Sequence, residues 1–319
     1  MSIERRAAGL LACALALGGC GGGATSSAPH SAAARRAPGH LKQGHSAPHP
    51  HPPTPPPYPR LLRAATRSGP TNFVPAGSWQ GRPAVWIARR PGVVLLSFDQ
   101  RLVGLQLHSG TVDAGPHGWR YGPRVAGAER RHLMAAFNSG FKLDTNSGGF
   151  ASGGRTAVAL SDGLGSIVTY ANGTTDIGAW HRGLPASGQS VTSVRQNLHL
   201  LISGGRPAPN LGCRTCWGAT LGGTQTPARS ALGITADARL IWVGGENLTV
   251  GALAGALLAA HVRRAVELDI NPEWVAAYLY GHRRGHGPLA PVPMVPGQPG
   301  IPGEFLTPYS RDFFTVVTR

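Results

Sequence analysis

The sequence predicts an α+β domain, a β-rich mixed sheet with few helices, preceded by a disordered Pro/His-rich tether. Three observations predict it. Short β-branched or apolar runs recur through residues 70–319, a single strong amphipathic helical stripe stands among them, and proline and histidine crowd into the N-terminal segment.

The chain has 319 residues. Arg5 and Arg6 form a positive start, residues 7–17 an apolar stretch too short to span a bilayer, and Leu17-Gly18-Gly19-Cys20 looks like a bacterial lipobox. Residues 1–20 therefore read as a lipoprotein signal peptide. Cleavage before Cys20 would leave an acylated cysteine that anchors the protein to the membrane without a spanning helix. The expected location is extracytoplasmic, on the cell membrane of a bacterial envelope.

Residues 21–69 are Gly, Ala, Ser, Pro and His, with Pro50, Pro52, Pro53, Pro55, Pro56, Pro57 and Pro59 close together. Proline favours polyproline II and the remainder is too polar to bury a core, so the segment reads as an extended, disordered linker. His30, His40, His45, His49 and His51 raise a metal-binding reading, but nothing fixes them in a coordination geometry, and solvated imidazoles are the simpler account.

Residues 70–319 are then of a size for one globular domain. Their β runs fall at 84–88, 93–98, 103–108, 134–137, 156–160, 166–170, 198–202, 231–235, 240–243, 265–268, 275–280 and 314–317. Turns such as Ser161-Asp162-Gly163 and Ala171-Asn172-Gly173 separate them. The helix is predicted over 249–261, with Thr249 as N-cap and Val250, Leu253, Ala254, Leu257, Leu258 and His261 on one stripe. Lying between two strands, it suits a crossover that makes the second strand parallel to the first. A weaker helix is predicted over 126–133.

Charge excludes less than it first suggests. The net charge is +16, from 30 Lys+Arg and 14 Asp+Glu. Residues 1–69 hold eight of the basic groups and one acid, and the arginines of the domain are scattered rather than clustered in a stripe. Nucleic acid is not implied. The charge implies a mildly basic surface facing anionic partners, such as envelope polymers.

Cys213 and Cys216 are the only cysteines of the domain. A zinc ribbon needs a second pair, and a redox-active pair needs a strand–helix context that Gly212-Cys213-Arg214-Thr215-Cys216-Trp217 lacks. A structural disulfide is expected. No metal-ligand set and no cofactor motif can be named.

Only 14% of the residues are charged, against about 25% in typical chains, so acids are few and their placement is informative. Glu267-Leu268-Asp269-Ile270-Asn271-Pro272-Glu273 puts three carboxylates at the end of an apolar strand. A period of two directs Glu267 and Asp269 to one face, and Pro272 stops the strand just beyond. Such a pair suits hydrolysis of a glycosidic bond, and it equally suits a solvated strand end or a buried carboxylate paired with arginine. Asn138-Ser139-Gly140-Phe141 ends another apolar strand in an amide and a glycine, and Arg229 begins a third, placed to grip phosphate or carboxylate.

In order and spacing, Asn138-Ser139-Gly140-Phe141, Arg229-Ser230-Ala231-Leu232-Gly233, Arg239-Leu240-Ile241-Trp242, the helix and Glu267-Leu268-Asp269 resemble the motifs of the phosphodiester glycosidase family, the family of the N-acetylglucosamine-1-phosphodiester α-N-acetylglucosaminidases. The resemblance covers roughly residues 133–280. It implies that Asn138 and Gly140 form a substrate loop, that Arg229 lies on the phosphate side, and that Asp269 is the catalytic or sugar-binding carboxylate. Ser139 stands where the family has glycine, Lys142 where it has a second phenylalanine, and Ile270-Asn271-Pro272 where it has three glycines. That change brings the Asn271 amide and the Glu273 carboxylate into the loop. Arg195, Gln196 and Asn197 are further polar residues suited either to contacting sugar or phosphate or to capping a strand.

The expectation is a hydrolase of a sugar 1-phosphodiester or related glycoside in envelope glycans, with Asp269, Glu267 and Glu273 as catalytic carboxylates and Asn138, Gly140, Arg229, Asn271 and Arg195 binding substrate. The alternative is a lipoprotein that binds an anionic polysaccharide on the same scaffold without cleaving it. A disulfide-handling role for Cys213 and Cys216 is a third, lesser reading.

Overall fold

The computed structural model describes residues 72–213, 215–219, 223–224, 226–282 and 288–319. The segments expected to be a signal peptide and a linker, with Cys20, fall outside the described residues. The described chain is mostly β, in three sheets.

The first sheet runs in the order Val74–Trp79, Arg82–Arg90, Val93–Phe98, Leu240–Gly245, Arg229–Thr235, Val262–Glu267, Leu200–Ser203 and Arg206–Pro207. The second runs Gly183–Leu184, Thr175–Trp180, Gly165–Tyr170, Val191–Gln196, Phe150–Ser152 and Arg155–Val158. The third runs Leu289–Pro293, Ala277–His282, Leu133–Asn138, Phe313–Thr318 and Val103–His108. The expected single mixed sheet is thus corrected to three sheets whose pairings are antiparallel, apart from the short Gly183–Leu184 strand alongside Thr175–Trp180.

The expected crossover takes a particular form. Leu240–Gly245 and Val262–Glu267 each pair antiparallel with Arg229–Thr235, which lies between them, so the two run parallel without touching. The connecting helix is Val250–Ala259, and the Thr249 side chain caps it by accepting from the Ala252 amide at 3.0 Å. It is the one α-helix among the described residues. The weaker helix expected at 126–133 is only a 3-10 turn, Gly127–Arg131, with no buried residue to hold a longer one. Among the described residues no helix is long and apolar enough to cross a membrane.

The apolar runs were legible because most of these strands are buried on both faces. Leu232, Trp242, Phe98, Phe137, Phe150, Ile167 and Phe314 meet in a central core to which all three sheets contribute. Their chain neighbours turn the other way into smaller clusters. Ala231, Ile241 and Leu95 pack under the helix through Leu253 and Leu257, Ala136 and Phe313 pack with Phe305, and Val168 packs with Val194 and Trp180. Several strands escaped the pattern, among them Val74–Trp79, Thr175–Trp180 and Val191–Gln196. The last ends in Arg195 and Gln196, both buried, so its polarity concealed its burial.

Candidate functional site

The strand ends of all three sheets converge at one place. Leu133–Asn138 of the third sheet finishes there, Arg229–Thr235 of the first begins there, and Val191–Gln196 of the second ends there. Backbone bonds tie the ends together: Asp269 donates its amide to the Ser139 carbonyl at 2.9 Å, and Ser230 donates its amide to the Asp269 carbonyl at 3.2 Å. Asn138 locks the junction from its side chain. Its Nδ2 donates to the Ser139 carbonyl at 2.9 Å and to Ser230 Oγ at 2.8 Å, while its Oδ1 accepts from the Ala276 amide at 3.3 Å. Every side-chain polar atom of Asn138 is therefore engaged, and it serves as a pin.

Asp269 is the carboxylate that opens to a cavity. Its Oδ1 accepts from the amides of Ile270 and Asn271 at 2.8 and 2.9 Å, and its Oδ2 faces Arg311 Nη2 at 3.1 Å. Burial pushes the Asp269 carboxyl above the ordinary aspartate range, against the pull of Arg311 and of the two amides, and Asp312 adds to the upward push. Arg311 is held in turn. Its Nε donates to Asp113 Oδ2, its Nη2 also donates to the Gly140 carbonyl at 3.1 Å, and its guanidinium lies 5.4 Å from the Trp274 ring centre. Burial works against its charge, but Asp269 and Asp113 outweigh burial and keep it protonated. No protein partner takes its Nη1 among the described residues.

The cavity has a volume of about 700 Å³, a size typical of small-ligand sites, and its walls include Asp269, Arg311, Lys142, Asn271 and Phe141. Lys142 is exposed and has no carboxylate partner among the described residues. The cavity thus presents the Asp269–Arg311 ion pair together with one further cation, Lys142, which suits an anionic ligand.

The other expected carboxylates lie elsewhere. Glu267 is fully buried, pairs with Arg229 Nη1 at 2.7 Å, and does not line the cavity. Burial raises its carboxyl to about 8 against the pull of Arg229, with Asp269 adding to the rise. Its Oε2 has no hydrogen-bond partner among the described residues, and that oxygen is the natural seat of the proton. Glu273 is exposed on the loop, outside the cavity wall, and its amide is capped by Asn271 Oδ1 at 3.0 Å. Glu267 and Asp269 lie close enough for Asp269 to act on the Glu267 carboxyl, but each has an arginine of its own and only Asp269 lines the cavity. Asn271 does line the cavity.

The expected binding residues divide in the same way. Arg229 lines an adjoining cavity of about 620 Å³ and donates through Nε and Nη1 to the carbonyls of Leu248 and Trp217, at 3.0 and 3.1 Å. Arg195 is buried and bridges strands, donating to Asp312 Oδ2 at 2.7 Å and to the Phe141 carbonyl. Gln196 fastens the amides of Gly149 and Ser161, so it supports the sheet rather than a ligand. Gly140 sits in a tight place: a Cβ there would stand 3.1 Å from Asn197 Cβ and 3.2 Å from Arg195 Nη2, so those side chains would have to give way by a few tenths of an ångström. Cys213 and Cys216 form a disulfide, beside the wall shared by the two cavities. Among the described residues no group of three or more His, Cys, Asp or Glu side chains is arranged to hold a metal ion.

Sequence reasoning missed Arg311, Asp113 and Asp312 as site residues. Arg311 and Asp312 adjoin the apolar strand Phe313–Thr318, and a charged pair at the start of a buried strand is the signal that would have found them.

Fold and site together define a three-sheet β domain with a carboxylate–guanidinium pair in a cavity that Lys142 also lines. No protein-family model matches the chain, and no curated protein matches it in sequence. Among solved structures it is similar to the catalytic domain of zebrafish N-acetylglucosamine-1-phosphodiester alpha-N-acetylglucosaminidase, auto-inhibited by its pro-peptide. That match has 13% identity, covers 82% of this chain and 93% of that one, and has a TM-score of 0.46. It is also similar to a hypothetical protein from Synechocystis at 13% identity, covering 75% of this chain and 63% of that one, with a TM-score of 0.38. Likenesses at these identities and TM-scores assign no function.

Proposed function

We propose that the protein hydrolyses a sugar 1-phosphodiester or a related glycoside of cell-envelope glycans, as a divergent relative of the phosphodiester glycosidases. The observation that carries the reading is the Asp269–Arg311 pair, set at 3.1 Å in a cavity that also holds Lys142. The motif resemblance at Asn138, Arg229 and Asp269 supports it, since these three residues belong to one junction of strand ends.

In the proposed reaction water adds across the bond between the anomeric carbon and the phosphate oxygen. The sugar leaves with the hydroxyl, and the phosphate leaves as a monoester. Phosphate departs readily, so protonating it helps little, and stabilising the positive charge that develops on the ring matters more. Asp269, ionised and held by two amides and Arg311, would face that charge, while Arg311 Nη1 and Lys142 would hold the phosphate. Glu267 acts indirectly, by fixing Arg229.

The test is release of reducing sugar from N-acetylglucosamine 1-phosphodiesters and from purified anionic wall polymer, by wild type and by Asp269→Asn. Turnover by the wild type that disappears in the variant is expected. Equal turnover by both removes the assignment, and calorimetric binding without any release favours the alternative of a non-catalytic polysaccharide-binding protein. The signal peptide, the acylated Cys20 and the extracytoplasmic location are part of the same proposal, and metabolic labelling with a fatty acid that is lost on Cys20→Ser tests them.

A further inference from the structure

After strand Leu289–Pro293 the chain runs through a strap, residues 294–306, rich in proline and glycine. Both ends of the strap are tied down. At the first end Met294 donates its amide to the Ala277 carbonyl at 2.9 Å, and Gln298 Oε1 accepts from the amides of Val295 and Ala277 at 2.9 and 3.4 Å. At the other end the Phe305 carbonyl accepts from the Val125 amide at 2.8 Å, and the Leu306 carbonyl from Arg130 Nη2 at 2.7 Å. Among the described residues, the stretch 299–304 between them makes one hydrogen bond to another element, from the Tyr278 hydroxyl to the Ile301 carbonyl at 3.3 Å.

Unpaired polar atoms accompany this stretch. Glu304 Oε1, Gln298 Nε2 and Tyr280 Oη are buried, and none has a hydrogen-bond partner among the described residues. Glu304 pairs with no cation there, and the one polar side chain acting on its carboxyl is Tyr278, whose proton already goes to Ile301. Gly300 runs against the same carboxyl: its φ is +90°, and a Cβ there would collide with Glu304 Oε2.

A carboxylate oxygen buried without a cation or a free donor is costly, whereas the neutral acid is tolerated and brings a proton of its own to donate to the phenol oxygen beside it. Burial accordingly pushes the Glu304 carboxyl up to about 7, against the pull of the Tyr278 hydroxyl. The surrounding groups do not titrate with it. Burial raises the Tyr278 phenol to about 12 and raises those of Tyr280 and Tyr309 as well, so all three stay neutral. Arg130, the cation that acts on Tyr280, donates to the carbonyls of Val125 and Leu306.

We propose that residues 299–304 form a proton-controlled strap, packed while the Glu304 carboxyl is neutral and released when it ionises. The strap ends near the candidate site. The Phe305 ring lies 4.8 Å from Tyr309, Tyr309 meets Trp274 at 6.0 Å, and the Trp274 ring centre is 5.4 Å from the Arg311 guanidinium, so release withdraws support from the side chain that holds Asp269. The inference concerns the strap itself and stands whether or not the domain is a hydrolase.

Hydrogen exchange of the full chain, corrected for the intrinsic pH dependence of exchange, reads the strap peptide directly. The packed strap holds a proton that the released strap, with an ordinary carboxyl at 4.5, gives up. Its protection is therefore fully present below about 4.5 and is lost as the pH rises through about 7, with opening growing by up to about tenfold per pH unit across that window. Glu304→Gln, neutral at every pH, should keep the strap protected throughout. Glu267→Gln should leave the pH dependence of the strap as in the wild type, which separates it from the other buried carboxyl that titrates nearby in pH. Tyr278→Phe removes the hydroxyl that pulls the Glu304 carboxyl down and should move release to higher pH. Strap protection that does not change with pH in the wild type overturns the proposal. So does a pH dependence that survives in Glu304→Gln or disappears in Glu267→Gln. If Glu304→Gln fails to fold, Tyr278→Phe decides, and release at unchanged or lower pH overturns the proposal.

Discussion

Arg311 Nη2 stands 3.1 Å from Asp269 Oδ2 and 3.1 Å from the Gly140 carbonyl, so one nitrogen joins the catalytic candidate to the strand-end loop beside it. The bond from Arg311 Nε to Asp113 fixes the guanidinium plane, and Nη1 is left for a ligand. The charge of Asp269 and the position of the loop are therefore set by the same side chain.

Asp269→Asn should lower turnover by at least about a hundredfold, the scale of losing one electrostatic contact to a transition state. It should cost about 1–3 kcal/mol of stability, because an amide nitrogen in place of Oδ2 turns a donor toward Arg311. In the wild type, turnover should fall as the pH drops through the raised Asp269 value, placing the acid limb above the ordinary aspartate range. A pH–rate profile of kcat/KM checks this, and an acid limb at the ordinary value counts against Asp269 acting in its ionised form.

Lys142→Ala should raise KM about tenfold with little change in kcat, since the side chain holds charge in the ground and transition states alike. Because Lys142 is exposed, the melting temperature should not move. A fall in kcat with KM unchanged would place Lys142 in the chemistry instead.

Glu267 gives a stability prediction with a definite sign. Its folded carboxyl titrates at about 8, above the ordinary value of 4.5, so the folded state holds a proton that the unfolded chain releases. Its contribution is fully present below about 4.5 and is lost as the pH rises through about 8, with a slope of up to about 1.4 kcal/mol per pH unit. Denaturant unfolding of Glu267→Gln from pH 5 to pH 9 should lack that slope. Parallel curves for variant and wild type would show that Glu267 is ionised throughout.

Arg195→Ala should destabilise by about 3–5 kcal/mol, because it leaves the Asp312 carboxylate buried without its cation. Urea unfolding measures this. A cost below about 1 kcal/mol, the range of an exposed pair, would contradict the structural role assigned to Arg195.

Much of the fold was legible in the sequence. The runs at 93–98 and 240–243 correspond to strands because strands buried on both faces write continuous apolar segments, the run at 103–108 because its apolar residues alternate, and Thr249 announced the helix through its capping side chain. Val191–Gln196 was not legible as a strand, because its burial is satisfied by ion pairs and amide bonds rather than by apolar packing. Within the candidate site, Asp269 and Asn271 were named and line the cavity, whereas Glu267, Glu273 and Arg195 were named and do not.

The sequence by itself determined the strand-rich character of the domain, the capped helix and the crowding of carboxylates at Glu267–Asp269–Glu273. Periodicity and local hydrogen bonding are properties of neighbouring residues, so a linear reading recovers them. Only the tertiary structure decided which carboxylate faces a ligand. That choice depends on which arginine meets which acid, and the partners come from distant strands: Arg229 takes Glu267 into the interior, while Arg311, brought in from the third sheet, holds Asp269 at the cavity. Burying a charge is tolerable only beside its counter-charge, and the pairing of strand ends across three sheets is what supplies it.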